Sequence, residues 1–283
     1  MRRVFKWVLV FLVAVSVTWK VNDVASKRPS LPDPTQLTDK GTCVGLSYHR
    51  IKRPHFWNKT IETVTGSDDL KRYNVYADEF AEQIRWMKQQ DAHFATLANV
   101  TGYVNGEPIP DRCVWISFDD VDHTVYENAF PVLKQEGIPF TLFVITRHVG
   151  ESFQNLQLAS WDELREMKES GLADFGSHTH DFHYIQEGLA TFRDPNNHEA
   201  FAKDLQMSRD TLQTELGVTT TAIAYPFGET DDAVTALIER AGYSEAFILS
   251  PNPITNENSP FFINRYLLDS HVFEGFVKPY LAR

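Results

Sequence analysis

Residues Val114–Asp122 read VWISFDDVD, a strand-forming run that leads directly into two adjacent carboxylates, Asp119 and Asp120. Neighbouring side chains on a strand point to opposite faces, so both carboxylates can reach one cleft only where the strand ends and the backbone turns. Two crowded carboxylates acquire different pKa values, which suits one of them to hold a metal ion and the other to take a proton. The alternative is a helix N-cap, since Asp is a favoured cap residue and a helix-like run begins near Thr124.

A histidine cluster further along the chain favours the metal hypothesis. His178, His180 and His183 stand beside Asp181 and follow a strand-like run over residues 172–176. A single histidine is usually a core or surface residue, but three in one short loop are unusual in a chain with 10 histidines. One Asp and two His with an open position are typical of zinc, or of a similar divalent ion that keeps a coordination site for water.

Length and composition limit the fold and the partners of this chain. Its 283 residues, 42% hydrophobic and 13% aromatic, supply enough apolar surface for the packed interior of a single α/β barrel. The formal net charge is −11, and residues 1–28 hold six bases and one acid. The remainder therefore carries 37 acids against 21 bases, a charge of −16. A body this acidic argues against nucleic acid as a partner.

The N-terminus has the pattern of an export signal. Arg2, Arg3 and Lys6 precede residues 7–19, which are almost wholly apolar. This apolar core is shorter than the roughly 20 residues that span a bilayer comfortably. A cleaved signal peptide and a retained signal anchor therefore both remain open for residues 1–26. The basic residues before the apolar core predict that the body lies outside the cell, either secreted or at the cell surface.

The rest of the chain predicts a linker followed by one α/β domain. Residues 27–40 contain three prolines among polar neighbours, which is typical of an extended linker. Over residues 41–283, strand-like and helix-like segments alternate, which predicts a parallel sheet, open or closed as a barrel. The expected strands are 42–48, 94–97, 114–118, 140–146, 172–176, 221–225 and 246–250, the expected helices are 77–89, 124–135, 161–169, 200–216 and 231–241, and 50–73 and 102–111 are expected to be a long surface loop and a turn.

The candidate functional residues stand where predicted strands end. His49 follows the first strand, the Asp119-Asp120 pair follows the third, and His178 and Tyr225 end later ones. Because the C-terminal ends of parallel strands meet at one face of a barrel, we expect these residues to converge on a single site.

The two cysteines, Cys43 and Cys113, lack the spacing of a zinc site. Each begins a strand-like run, six residues before a candidate functional residue, His49 or Asp119. If the two strands are neighbours, the thiols come close, and either a disulfide or a pair of buried free thiols is consistent with the sequence.

Taken together, these motifs resemble those of the polysaccharide deacetylases, the carbohydrate esterase family with a NodB-type domain. Ser-Phe-Asp-Asp at 117–120 and Ser-His-Thr-x-x-x-His at 177–183 resemble its first two motifs. Tyr48-His49, residues 126–146 and Ala-Tyr-Pro-Phe-Gly at 224–228 are similar to the branch that acts on the biofilm polymer poly-β-1,6-N-acetylglucosamine. The resemblance covers roughly residues 41–276 and implies a single domain with a distorted (β/α)7 barrel.

The resemblance also implies a metal centre and a base. It makes Asp120, His178 and His183 the ligands of a divalent metal, zinc first with cobalt or nickel as alternatives, and leaves Asp119 as the general base. His180 competes as a ligand, but the five-residue spacing of His178 and His183 is that of the poly-N-acetylglucosamine branch.

The general acid has two candidates. The wider family often uses a histidine in a late Leu-x-His motif, which Leu268-Asp-Ser-His271 resembles loosely. The poly-N-acetylglucosamine branch instead uses the histidine of the early Tyr-His motif, so the expected acid is His49, and His271 is otherwise an exposed histidine at a helix start.

The third motif departs from the family pattern. Ala224 stands where the family carries an arginine that contacts the base, and Arg265 is the candidate replacement. The backbone N–H of Phe227 is expected to stabilise the oxyanion, with Tyr225 beside it at the substrate.

The implied reaction is hydrolysis of N-acetyl groups on extracellular poly-β-1,6-N-acetylglucosamine by a monomer whose only membrane contact is its N-terminal segment. An acidic cleft would tolerate the cationic product. One alternative is deacetylation of peptidoglycan or chitin oligomers. Another, from a different class, is a catalytically inactive sugar-binding protein at the cell surface.

Overall fold

The computed structural model describes residues 31–33, 41–53 and 72–282. The predicted signal or anchor segment, residues 1–26, and most of the predicted linker, residues 27–40, lie outside them. Within the described residues, no helix combines the length and the apolar character that crossing a bilayer requires.

Strands and helices alternate through the described chain. The strands are β1 (Cys43–Tyr48), β2 (Arg50–Lys52), β3 (Asn74–Tyr76), β4 (His93–Ala95), β5 (Cys113–Asp120), β6 (Phe140–Val144), β7 (Ser152–Phe153), β8 (Leu156–Gln157), β9 (Ala173–Ser177), β10 (Ile185–Gln186), β11 (Leu189–Ala190), β12 (Ala222–Ala224), β13 (Glu245–Phe247) and β14 (Tyr266–Leu267). The α-helices are α1 (Ala77–Gln89), α2 (Leu97–Val104), α3 (Phe130–Glu136), α4 (Trp161–Glu169), α5 (His198–Leu216), α6 (Asp232–Arg240), α7 (Ser270–Val272) and α8 (Lys278–Leu281). Two π-helical turns, Val125–Ala129 and Phe273–Val277, precede α3 and join α7 to α8.

The centre is an eight-stranded sheet in which every pairing is parallel. Its strand order is β13-β12-β9-β6-β5-β1-β14, with β4 paired to the first half of β5. Phe247 at the end of β13 bridges Ile263, just ahead of β14, so the two edges of the sheet approach each other and the sheet curls into a barrel. The predicted α/β class with a parallel, barrel-like sheet is confirmed.

Burial explains the composition of the central strands. Every residue of β1 and of β5 is buried, because helices cover the outside of a parallel barrel and side chains fill its inside. The polar exceptions on these strands, Ser47, Ser117 and the Asp119-Asp120 pair, therefore need partners inside the protein.

Residues 94–111 differ from the prediction. The strand is His93–Ala95, and Gly102, expected to open a turn, belongs to α2, which ends at Val104. Thr96 and Asn99 cap this helix reciprocally: the Thr96 hydroxyl accepts from the Asn99 N–H, and the Asn99 side chain accepts from the Thr96 N–H. Because the usual partner in such a box is Glu or Gln, the sequence carried a weak start signal for α2.

The predicted surface loop over residues 50–73 is wrong at its beginning. Residues Arg50–Lys52 form β2, which pairs in parallel with β3. Two further contacts hold β2 to the barrel: the Ile51 N–H donates to the Thr124 hydroxyl, and the Asn128 amide donates to the Ile51 carbonyl. Residues 54–71 of the predicted loop lie outside the described chain.

The two cysteines form a disulfide. Cys43 and Cys113 are directly opposite each other in the pairing of β1 with β5, with Cα atoms 4.5 Å apart. Of the two alternatives that the sequence left open, the structure has the disulfide, because the barrel makes these two strands neighbours.

Candidate active site

The strands of the barrel deliver the candidate residues to one cleft of about 410 Å³. His49 follows β1, Asp119 and Asp120 end β5, and His178 follows β9. All four line the cleft, together with His183. The parallel sheet places all these strand ends on the same face of the barrel, which is why residues distant in sequence meet there.

Three of these side chains crowd around one point. The Asp120 Oδ1 atom lies 3.4 Å from His178 Nε2 and 3.2 Å from His183 Nε2, and the three candidate ligand atoms lie within 4.8 Å of one another. Oδ1 of Asp120 is buried, and no described residue forms a hydrogen bond with it. Ligands about 2.1 Å from a tetrahedral zinc ion would stand about 3.4 Å apart, so this donor set fits a divalent metal.

The protonation of His178 suits a metal ligand. Its Nδ1 atom lies 2.8 Å from the Ala224 carbonyl, to which it donates as the N–H tautomer, so Nε2 carries the free lone pair. Burial lowers the pKa of His178 to about 4, although Asp119 and Asp120 oppose the shift. The ring is therefore neutral, and able to bind a metal, near neutral pH.

His180, the competing ligand candidate, lies outside this group. It is half-buried, and its Nδ1 atom is 2.9 Å from the Thr146 hydroxyl. The part of the chain that the structure describes brings only Asp120, His178 and His183 together as a candidate metal group.

The loop that carries these histidines is held by a carboxylate that sequence reasoning missed. Asp204 on α5 is 4% exposed and accepts from the N–H groups of His180 and Asp181 at 2.8 and 2.6 Å. Burial raises the pKa of Asp204 to about 6, against these two hydrogen bonds. The available signal was its position on the buried face of α5, three residues after Phe201 and next to Leu205.

Asp119 is paired with the arginine that the sequence suggested. Two nitrogens of Arg265 donate to the two Asp119 oxygens at 2.6 and 2.9 Å, and Ser47 and Ser117 complete the buried network. Arg265 is 0% exposed and Asp119 1%. Burial acts to raise the pKa of Asp119, but the Arg265 guanidinium, with help from His178, holds that pKa well below its usual range. The carboxylate therefore stays ionised across the ordinary pH range.

His49 and His271, the two acid candidates, occupy different places. His49 lines the cleft and contacts the Tyr73 ring edge-on at 4.8 Å between centroids, and within the described part of the chain its buried Nδ1 atom has no hydrogen-bond partner. Burial lowers the pKa of His49, while Asp120 and Asp119 act to raise it. His271 is exposed at the start of α7 and lines a separate small cavity with Leu31 and Asp269.

The third motif places Phe227, and not the Tyr225 side chain, at the cleft. The ring of Phe227 lies 4.5 Å from the ring of His183, and its φ of 61° puts the residue in the left-handed region. Tyr225 is 1% exposed, and its hydroxyl donates to the Phe261 carbonyl. Because a buried phenol needs a hydrogen-bond partner, Tyr225 turns into the protein, and its side chain is not among the described residues that line the cleft.

Unusual backbone conformations gather around this site. Of the eight non-glycine residues with positive φ in the described chain, five lie at or beside the site: Phe227, Asp120 and Val121 at the end of β5, Thr179 in the histidine loop, and Gln154. Gln154 lines the cleft and donates to the His183 carbonyl at 2.9 Å. Such conformations are costly for residues other than glycine and persist where surrounding contacts hold them, commonly at functional sites.

Comparison with known proteins agrees with this geometry. A family model described as "Polysaccharide deacetylase" matches residues 106–246. Two poly-β-1,6-N-acetyl-D-glucosamine N-deacetylases are each 37% identical to this chain. The one from Staphylococcus aureus strain MSSA476 aligns over 84% of this chain and 83% of its own length, and the one from Staphylococcus epidermidis over 85% and 83%.

The solved structure of IcaB from Ammonifex degensii superposes with a TM-score of 0.76 at 29% identity and covers 86% of this chain and 98% of its own. A Streptococcus pyogenes deacetylase, PplD, shares the fold with a TM-score of 0.68 at 23% identity, over 86% of this chain and 98% of its own. The sequence identity, the shared fold and the cluster of carboxylates and imidazoles in the cleft all point to the same family. The chain belongs to the polysaccharide deacetylase family.

Proposed function

We propose that this protein is a metal-dependent hydrolase that removes N-acetyl groups from poly-β-1,6-N-acetylglucosamine outside the cell. The observation that carries the proposal is the arginine-paired carboxylate of Asp119 beside the Asp120, His178 and His183 group in one open cleft. The substrate is taken from the two staphylococcal relatives, whose names specify this polymer.

The donor set supports zinc as the metal, with cobalt or nickel able to replace it, because one carboxylate and two imidazoles leave positions for water and substrate. Asp120, His178 and His183 would hold it. When bound, such an ion lowers the pKa of a bound water and polarises the acetyl carbonyl.

The chain's own residues would then carry the proton transfers. Water adds to the acetyl carbon, the carbon–nitrogen bond breaks, and acetate and a free amine leave. Asp119, ionised and oriented by Arg265, takes the proton from the water, and His49 returns a proton to the departing nitrogen. A histidine whose pKa is lowered by burial is a stronger acid once protonated, which suits a poor leaving group. The Phe227 backbone N–H supports the oxyanion.

An extracellular location fits two features. Disulfides persist in oxidising compartments, and Cys43 and Cys113 are joined. The basic and apolar pattern of residues 1–26 supports export, with that segment as the proposed membrane contact of a monomer and with no nucleic acid partner.

The test is acetate release by the purified body from β-1,6-linked N-acetylglucosamine oligomers, with chitin oligomers and peptidoglycan fragments as competing substrates. We expect turnover on the β-1,6 series that chelation abolishes and added zinc restores. Asp119→Asn is the matched control, since it should keep the metal. Faster turnover of chitin oligomers or peptidoglycan fragments would make that polymer the substrate in place of the β-1,6-linked one. Binding to the oligomers without release of acetate would identify a sugar-binding protein.

A further inference from the structure

Two arginines are buried in the described chain, and only one of them is neutralised. Arg265 pairs with Asp119. Arg50, at 8% exposed, lines the catalytic cleft, and within residues 31–33, 41–53 and 72–282 its guanidinium has no ion pair and no hydrogen bond, including at the buried Nε atom. Burying a charge without a partner lowers the stability of the fold. A buried and unpaired arginine in a cleft therefore indicates that a bound ligand supplies the partner.

The main chain of Arg50 is fixed in place. Its N–H donates to the Tyr73 carbonyl at 3.2 Å, and the residue is paired with Asn74 in the β2–β3 ribbon. The next residue, Ile51, is held on the other side by Thr124 and Asn128. The guanidinium is therefore presented to the cleft by a rigid ribbon and not by a loop.

Arg50 lines the same cleft as the candidate metal group and Asp119, but it is ion-paired with none of these described residues. Among the described residues, Asp119 is bonded by Arg265 and Asp120 stands against His178 and His183, and neither carboxylate is ion-paired with Arg50. Because the proposed function assigns the reacting N-acetyl group to the metal group and to Asp119, the Arg50 guanidinium is left for another part of the bound molecule.

The chemistry of the guanidinium defines that ligand. Arginine presents five N–H donors and no acceptor, so its partner must offer acceptor oxygens. A neutral N-acetylated sugar unit offers an acetamide carbonyl and hydroxyl oxygens. A deacetylated unit carries an ammonium near neutral pH, which has donors only and the same charge as Arg50.

We propose that Arg50 binds acceptor oxygens of an N-acetylated unit neighbouring the one being hydrolysed and disfavours a deacetylated unit at that position. The inference rests on the proposed function and deepens it. Arg50 is then a specificity-determining residue that spaces deacetylated units along the polymer, because each product amine makes its neighbour a poorer substrate.

The test compares Arg50→Gln, Arg50→Lys and the matched control Arg53→Gln. Arg53 lies in the same segment but is exposed and donates to Asn128. The substrates are a fully acetylated β-1,6-linked pentamer and the same pentamer with one glucosamine unit beside the reactive position.

We expect Arg50→Gln to raise KM on the acetylated pentamer about tenfold, the usual effect of losing one charge-assisted hydrogen bond. Its metal content should not change, and its preference for the acetylated over the glucosamine-containing pentamer should narrow. Arg50→Lys should also raise KM, because an ammonium lacks the paired N–H donors of the guanidinium. It should keep the preference for the acetylated pentamer, because the positive charge remains. Arg53→Gln should match the parent protein in KM and in its preference between the two pentamers.

An unchanged KM and an unchanged preference in Arg50→Gln, with an active parent, would overturn the inference and leave the proposed function standing. Inactivity of the parent on both pentamers would instead remove the proposed function itself. Arg50→Gln should unfold in urea at or above the parent midpoint, because it removes a buried charge that no described residue neutralises. A clearly lower midpoint would show a structural role and also overturn the inference.

Discussion

Replacing Arg265 with glutamine should leave the Asp119 carboxylate buried without its partner. The lost contacts include the two hydrogen bonds to Asp119, of 2.6 and 2.9 Å, between groups that are 0% and 1% exposed, and the hydrogen bond to the Ser117 hydroxyl. Removing one member of a buried ion pair costs about 3–5 kcal/mol. We therefore expect the free energy of unfolding of metal-free Arg265→Gln to fall by about that amount at pH 7.

The loss should depend on pH with a defined sign. In the parent protein the folded-state pKa of Asp119 is lowered, so its contribution to stability is present above the unfolded value of about 3.9 and is lost as pH falls through the folded value. Without Arg265, burial raises that pKa above the unfolded value. The variant's penalty is then full above the raised pKa and fades as pH falls towards about 4.

The assay is urea unfolding of both proteins at several pH values in the presence of chelator, with kcat/KM measured on the metal-loaded forms. Arg193→Gln is the matched control, because Arg193 also contacts two carboxylates but its side chain is 29% exposed. It should lose under about 1 kcal/mol. The double variant Asp119→Asn/Arg265→Gln should recover much of the loss. The reasoning would be refuted if Arg193→Gln and Arg265→Gln lost equal free energy of unfolding. It would also be refuted if the difference in that free energy between Arg265→Gln and the parent did not change with pH.

Three further predictions concern the site residues. His183→Ala should lose bound metal and activity together while His180→Ala keeps both, and full metal content in His183→Ala would reverse this ligand assignment. Asp119→Asn should retain metal by elemental analysis yet lose about two to four orders of magnitude in turnover, the usual share of a general base; near-normal turnover would mean that another group activates the water. His49→Ala should lose most turnover on the polymer, and less on an activated ester that needs little acid help, while His271→Ala should be nearly silent. An inactive His271→Ala together with an active His49→Ala would show that the general acid is His271, in the late motif.

Local patterns in the sequence predicted the architecture and part of the site. Alternating strand-like and helix-like runs are local signals, and a parallel barrel then places the strand ends on one face. His49, Asp119 and Asp120 could be predicted at the site because each follows a recognisable strand, and all line the cleft. The helix at Leu97–Val104 was missed because its start rests on a weak Thr96–Asn99 cap.

Local patterns could not predict contacts between distant segments, and the Arg265–Asp119 pair was expected only through the family resemblance, because Ala224 stands where that family carries an arginine. Arg265 and Asp119 are 146 residues apart, and only the pairing of β1 with both β5 and β14 brings them together. The same pairing decided that the cysteines form a disulfide.

The sequence by itself determined which chemistry this protein can carry, because carboxylates and imidazoles at strand ends are a local property of the chain. Only the tertiary structure decided which of them are paired and which are left free. In the folded protein Arg265 is paired with Asp119, and Arg50 has no partner among the described residues. The Tyr225 side chain points inward and donates to the Phe261 carbonyl. The physical reason is that burial and hydrogen bonding depend on neighbours across the barrel, which no local pattern records.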